Sequence, residues 1–202
     1  LESELRKRGQ QLKPRSPQEV LAKLAELKLP SYGGFIRTFI TLCKSGGQSP
    51  ATLAEKANSQ RDRYRALAFL DVVVPVFQAY EAKLTTLRCI DFEDMIRSAT
   101  KYVEERKFVH PYQLILVDEF QDIDAIQYQL MEVLAAYHKN LFVVGDPDQT
   151  IYTWRGANVR FLLDFDERFQ GAHTIMMLEN YRSVPQVLEV ANSLIAKNKE
   201  RI

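Results

Sequence analysis

Leu114-Ile115-Leu116-Val117-Asp118-Glu119-Phe120-Gln121-Asp122 is the stretch that decides the fold. Its four apolar residues read as a buried strand, and two adjacent carboxylates follow immediately, at the end where a parallel α/β sheet gathers metal and phosphate chemistry. A second apolar run, Leu141-Phe142-Val143-Val144, repeats the arrangement and ends in Gly145-Asp146-Pro147-Asp148-Gln149. Two polar switches after two strands, about thirty residues apart, imply one shared site.

Outward from these strands the chain alternates. Asp91 is placed to cap a helix to about Glu105, a strand covers Gln113–Val117, Ile123–His138 is helical, and Leu141–Val144 is the next strand. Strands alternating with helices of this length predict a parallel sheet covered on both faces. Asn158 is expected to cap a helix through Phe169, Thr174–Leu178 to form a strand, and Ser183-x-x-Gln186 to open the last helix.

The first ninety residues read as helices. Ser16-Pro17-Gln18-Glu19 is a capping box with Pro at the first helical position, followed by Val20, Leu21, Leu24 and Leu27 at helical spacing. Further helices are expected from about Tyr32 to Lys44, after Ser49-Pro50, and from about Arg61 to Leu87. The last carries Leu67, Leu70, Val74, Phe77 and Tyr80 on one face, and Pro75 is expected to kink it.

Composition is that of a soluble intracellular protein, 46% hydrophobic and 26% charged, with no apolar run near the eighteen or so residues of a membrane helix. Cys43 and Cys89 have no C-x-x-C partner, which points to a reducing compartment, and His110, His138 and His173 lack metal-ligand spacing. Net charge is +1, unevenly spread: residues 1–88 hold 15 Lys/Arg against 8 Asp/Glu, and residues 89–202 hold 12 against 18. A basic segment joined to an acidic one is the charge pattern of a nucleic-acid contact beside a catalytic region. For single clusters such as Arg6-Lys7-Arg8 or Arg61-Asp62-Arg63-Tyr64-Arg65, a solvated helical surface is an equal alternative.

Three long motifs now stand in order: Asp118-Glu-Phe-Gln-Asp122, Gly145-Asp-Pro-Asp-Gln-Thr-Ile-Tyr-Thr-Trp-Arg-Gly-Ala157, and Leu178-Glu-Asn-Tyr-Arg-Ser183. They resemble motifs II, III and IV of superfamily 1 DNA helicases of the UvrD/Rep/PcrA type. Ile90-Asp-Phe-Glu-Asp-Met95 is similar to the helix before motif II in that family, and the resemblance covers roughly Ile90 to Ala196. It implies an α/β fold: part of a RecA-like (P-loop NTPase) motor domain with a parallel sheet, preceded by an all-helical 1B-type subdomain. The implied boundaries are residues 1–88 for the basic 1B-like subdomain, 89–172 for the C-terminal part of domain 1A, and 173–202 for the start of domain 2A. No G-x-x-x-x-G-K-[ST] phosphate cradle occurs anywhere, and nothing resembles motifs V and VI. The chain therefore reads as a piece of a longer helicase holding half of an ATP site.

ATP hydrolysis needs Mg²⁺ near the β- and γ-phosphates and a base or positioner for water. Asp118 suits the metal, directly or through water; Glu119 suits the water and lies beside the same ion. Gln149 is uncharged and suits a sensor that donates to a γ-phosphate oxygen while accepting from water, with a turn-capping amide as the alternative. The resemblance assigns Tyr181 to stacking on adenine and Arg182 to the γ-phosphate as an arginine finger, against a structural salt bridge for Arg182. Tyr152 and Trp154, on one side of an extended segment, would form an aromatic platform for unpaired bases. Arg155 contacts DNA backbone or holds the motif in place. Gln121 and Asp122 support the site rather than act in it.

The function so implied is a cytoplasmic, bacterial nucleoid-associated or otherwise intracellular ATP-dependent helicase. It would act on single-stranded DNA and duplex junctions with 3′→5′ polarity, and without a membrane partner. A helicase subunit of a helicase–nuclease and an inactive helicase-like partner-binding module are the alternatives.

Overall fold

A computed structural model describes residues 32–198, so the expected helix after Ser16 and the Arg6-Lys7-Arg8 cluster lie outside the described residues. The described chain forms two compact units: residues 32–43 with 48–90, and residues 44–47 with 91–198.

The first unit is helical. Helix α1 spans Tyr32–Ser45, α2 Pro50–Asn58 and α3 Arg63–Leu87. Ser49 starts α2 with a reciprocal cap: its hydroxyl accepts from Thr52 N at 3.2 Å while Thr52 Oγ1 accepts from Ser49 N at 2.9 Å, with Pro50 at the first turn where no amide partner is needed. Ile36, Ile40 and Cys43 recur on one face of α1 and pack with Ala57 of α2 and with Leu70, Val73 and Phe77 of α3. Leu67, Val74 and Tyr80 flank that core, as the helical spacing predicts. Phe39 meets Phe69 edge-on at 5.2 Å between ring centres. Helix α3 runs unbroken through Pro75, which sits on its exposed side, and ends on Arg88 in the left-handed conformation (φ 54°).

In the second unit, α4 spans Phe92–Glu104, β1 Ile115–Val117, α5 Ala125–Ala135, β2 Leu141–Val143, α6 Arg160–Leu163, α7 Phe165–Arg168 and α8 Pro185–Ile195. Asp91 caps α4 as its position predicts, its Oδ1 accepting from Asp94 N at 2.9 Å. The same carboxylate accepts from Lys44 Nζ through Oδ2 at 2.6 Å, and Asp94 Oδ1 lies 2.7 Å from that ammonium. Lys44 is 1% exposed. A lysine so buried is tolerated because both acids neutralise it.

Strands β1 and β2 pair in parallel, Ile115 opposite Leu141, Leu116 opposite Phe142 and Val117 opposite Val143. Alternation along each strand turns Ile115, Val117, Leu141 and Val143 toward a core of Phe120, Ile123, Tyr128, Met131 and Phe161. Tyr128 stacks on Phe161 at 4.2 Å, and Phe165 meets Phe120 edge-on at 5.7 Å. Leu116 and Phe142, on the opposite face, are exposed. Sheet coverage on both faces is therefore not reached among the described residues.

Three local expectations need correction. The helix expected from Asn158 to Phe169 is two short helices interrupted at Asp164; Asn158 Oδ1 still accepts from Arg160 N at 3.1 Å. Residues 174–178 form no strand, since no ladder partner lies beside them among the described residues. Ser183 does not cap α8: Val184 takes that place without a side-chain bond and Pro185 opens the helix. The hydrogen bonds at this corner come instead from Asn180, whose Oδ1 accepts from Arg182 N at 2.9 Å and Ser183 N at 2.8 Å. That geometry is an Asx turn, which competes with helix capping for the same amides.

Candidate ATP and nucleic-acid site

The parallel register brings the C-terminal ends of β1 and β2 to one edge of the sheet. Val144 N donates to Val117 O and Phe120 N to Val144 O, each at 2.8 Å, so the pairing continues past both strands into the polar segments. Asp118-Glu119 and Gly145-Asp146 consequently leave the sheet side by side.

Beyond Val117 the chain must turn sharply. Asp118 Oδ1 accepts from Glu119 N at 2.9 Å, and Glu119 itself takes φ 52°, a left-handed conformation that costs a non-glycine residue roughly 1–2 kcal/mol. The neighbours hold it there: a 3₁₀ turn over Phe120–Asp122 closes through Asp122 N to Glu119 O at 2.9 Å, and Phe120 is 0% exposed in the core. Asp118 and Glu119 are both exposed.

Gln121 is 1% exposed and lies between the two strand ends. Its Nε2 donates to Glu119 Oε2 at 2.7 Å and its Oε1 accepts from Asp146 N at 3.0 Å. A Cβ on Gly145 would lie 2.9 Å from Gln121 Oε1 and 3.1 Å from Leu162 Cδ2, so only glycine lets the second strand end approach this closely. Asp146 then organises a 3₁₀ turn over Pro147–Gln149: Oδ1 accepts from Asp148 N at 2.9 Å and Oδ2 from Gln149 Nε2 at 2.8 Å. In this state Gln149 is a turn-capping amide, exposed at the end of a hydrogen-bonded series that begins at Glu119. Asp148 Oδ1 in turn accepts from Asn198 Nδ2 at 2.9 Å.

Asp122 carries a buried Oδ1 with no hydrogen-bond partner among the described residues. Burial, and secondarily the charge of Glu119, push its carboxyl above the usual carboxylate range.

Tyr152, Trp154 and Arg155 form a second group. The segment is not extended: Thr153–Arg155 is a 3₁₀ turn closed by Gly156 at φ 101°. The two rings are neighbours nonetheless, 6.4 Å apart at 54°, because the Arg155 guanidinium spans them at 5.1 Å from the Tyr152 ring and 4.6 Å from the Trp154 ring. Trp154 is 60% exposed. Ala157, just beyond, is buried and its N donates to Tyr152 O at 3.3 Å, which fixes the turn to the body of the unit.

Tyr181 and Arg182 stand apart from both groups, in the Asn180 turn, and among the described residues neither makes a hydrogen bond or ring contact to them. Tyr181 is exposed; its hydroxyl donates to the Glu179 carboxylate, and that bond raises the phenol above its ordinary value. The residues that sequence reasoning left out of the candidate set are Asp146 and Asn198. Asp-Pro before a 3₁₀ turn is a readable signal for the first. Nothing local marks the second.

The family of the UvrD/REP helicase N-terminal domain matches residues 3–170. The chain is 39% identical to the ATP-dependent DNA helicase PcrA of Leuconostoc citreum over 140 residues, which is 67% of this chain and 19% of that protein. It is 39% identical over 135 residues to PcrA of Staphylococcus epidermidis (strain ATCC 12228 / FDA PCI 1200) and 38% to PcrA of Staphylococcus aureus (strain NCTC 8325 / PS 47), in each case 64% of this chain and 18% of the relative. The chain thus spans about a fifth of the length of the curated relatives it matches. The match runs through both strand ends, the Gln121 bridge and the Trp154 turn, and the chain belongs to the UvrD/REP helicase family, in its N-terminal, RecA-like domain.

Proposed function

We propose that this chain is the part of an ATP-dependent DNA helicase that positions water and metal for Mg-ATP hydrolysis and holds single-stranded DNA during 3′→5′ stepping and unwinding at duplex junctions. The observation that carries the reading is the hydrogen-bonded series from Glu119 to Gln149, with an exposed Trp154 five residues further on. A hydrolytic carboxylate and an aromatic surface suited to unpaired bases are joined by one short, well-braced segment.

Each candidate takes a role suited to its chemistry. Asp118 is exposed at the strand end and retains an oxygen beyond the one held by Glu119 N, a hard ligand fit for Mg²⁺ directly or through water. Bound with ATP, Mg²⁺ supplies charge neutralisation at the β- and γ-phosphates. Glu119 orients and deprotonates water beside that ion. Gln149 leaves Asp146 to meet the γ-phosphate. Tyr181, exposed in its turn, stacks on adenine, and Arg182 reaches the γ-phosphate. Tyr152 and Trp154 stack bases, and Arg155 braces both rings while presenting charge to a phosphate.

The domain reading accompanies these roles: residues 1–88 as a basic 1B-like subdomain that meets nucleic acid, 89–172 as part of domain 1A and 173–202 as the start of 2A, in a cytoplasmic enzyme. Because the 202 residues include no Gly-Lys-Ser/Thr phosphate cradle, they turn over no ATP by themselves.

The test is Glu119→Gln in the helicase polypeptide that carries these residues. DNA-stimulated ATP hydrolysis should disappear while single-strand binding, measured by fluorescence anisotropy, is retained. Normal turnover in that variant would remove Glu119 from the chemistry and with it the reading of the site.

A further inference from the structure

We infer that Gln121 is a positioning residue, the buried link through which the state of Gln149 sets the orientation of the Glu119 carboxylate; the inference rests on the hydrolytic reading above. Gln121 is not exposed enough to touch nucleotide or DNA, at 1%. Its amide nevertheless spans the two segments that would touch them, giving Nε2–H to Glu119 Oε2 at 2.7 Å and taking Asp146 N–H on Oε1 at 3.0 Å. The amide's direction is fixed by chemistry, because the Glu119 carboxylate only accepts and the Asp146 amide only donates.

No other side chain of this size meets both demands. A carboxylate at position 121 would still accept from Asp146 but would lose the donor and set a second negative charge against Glu119. An apolar residue would leave the Asp146 N–H unpaired in a buried place. The amide also has no room to swing: the Cα of Gly145 lies so close that a Cβ there would come within 2.9 Å of Gln121 Oε1 and 3.2 Å of Gln121 N.

Beyond Asp146 the series continues to the surface through Oδ2, which holds Gln149 Nε2 at 2.8 Å, while Asp146 O takes Gln149 N at 3.0 Å. When Gln149 Nε2 leaves Asp146 for a ligand, the Asp146 turn loses one of its three internal bonds, and the Asp146 N–H in that turn is the atom that holds Gln121. Gln121 is the buried member of the series, so a displacement of the Asp146 N–H is met by its amide rather than by solvent. The left-handed Glu119 backbone makes the carboxylate sensitive to that pull, since its φ of 52° is maintained only by its neighbours.

The experiment uses the same helicase polypeptide with Gln121→Met, Gln121→Glu, Gln149→Ala and the Gln121→Met/Gln149→Ala pair, each checked by thermal melting. We expect Gln121→Met to lower kcat for DNA-stimulated ATP hydrolysis roughly 10- to 100-fold, the scale set by a small misplacement of a reacting group. KM for ATP should move by less than about two-fold, because the missing interaction is not a ground-state one with the nucleotide. Gln121→Glu, which keeps the side-chain volume and the Asp146 bond, should reproduce the fall in kcat and carries the test where Gln121→Met does not fold. The pair should be no slower than the slower single variant, since both cut one series.

A folded Gln121→Met or Gln121→Glu enzyme with unchanged kcat and DNA stimulation would overturn the link, as would a pair whose effects multiply. A lower melting temperature with unchanged kcat per active site would assign Gln121 to structure alone. Glu119→Gln separates the two ideas: dead Glu119→Gln with active Gln121 variants refutes the link only, whereas active Glu119→Gln refutes the hydrolytic reading beneath it.

Discussion

Lys44 and Asp91, forty-seven residues apart, are joined in the second unit at 2.6 Å, and the oxygen that holds the buried ammonium belongs to the same carboxylate that caps helix α4. One side chain thus satisfies an orphan backbone amide and a desolvated cation. Asp91→Ala removes the cap of α4 and one of the two carboxylates on Lys44, and should cost about 2–4 kcal/mol of unfolding free energy, the scale of a lost N-cap together with a lost charged hydrogen bond. Asp94→Asn, which keeps Asp91 in place, should cost less, and chemical denaturation of the two variants gives the order.

Trp154→Ala should leave stability within about 0.5 kcal/mol of the parent, because the indole is 60% exposed and rests against Tyr152 and Arg155, which are themselves at the surface of the turn. Single-strand affinity in the helicase polypeptide should fall by roughly 1–3 kcal/mol. A destabilisation near the ~3–5 kcal/mol of a truncated core aromatic, with unchanged affinity, would contradict this placement.

Arg61, Arg63 and Arg65 are all exposed around the start of α3, where Arg63 lies over the Tyr64 ring at 4.7 Å. Reversing the three charges should flatten the salt dependence of single-strand binding by a log–log slope of about 0.7 for each phosphate that is no longer neutralised. Equal slopes for parent and variant would make the cluster a solvated surface.

The raised Asp122 carboxyl gives a pH signature. Its folded form holds a proton at pH values where the unfolded chain has released it, so the charged group destabilises the fold above the raised value and the penalty fades as pH falls to the ordinary carboxylate range. Asp122→Asn should therefore raise the melting temperature near pH 8 and lose its advantage toward pH 4. A gain that is constant across that range would show that the carboxyl is not the cause.

Local signals carried much of this structure. The apolar runs before Asp118 and Gly145 became paired parallel strands, and the caps at Ser49 and Asp91 formed as their spacing predicts. What failed was non-local. Residues 174–178 have strand composition but no neighbour to pair with among the described residues, and a strand is not stable alone. The Tyr152–Arg155 segment alternates as a strand would, yet the cation–π contacts of Arg155 and the positive φ of Gly156 close it into a turn. Gln121 reads in the sequence as a polar residue after two acids; that it faces Asp146 follows only from the strand register, twenty-five residues away.

The membership of residues 44–47 bears on where this polypeptide can be divided. Helix α1 begins in the first unit, yet Lys44-Ser45-Gly46-Gly47 belongs with residues 91–198, although residues 48–90 separate them in sequence. Dividing the chain after Ile90 and separating the two parts would take Lys44 from the Asp91 and Asp94 carboxylates and Ser45, whose Oγ would lie 2.8 Å from a Cβ on Gly156, from the Trp154 turn. Any autonomous version of the strand-bearing unit has to carry this tetrapeptide with it, so a simple truncation at Asp91 leaves that unit incomplete.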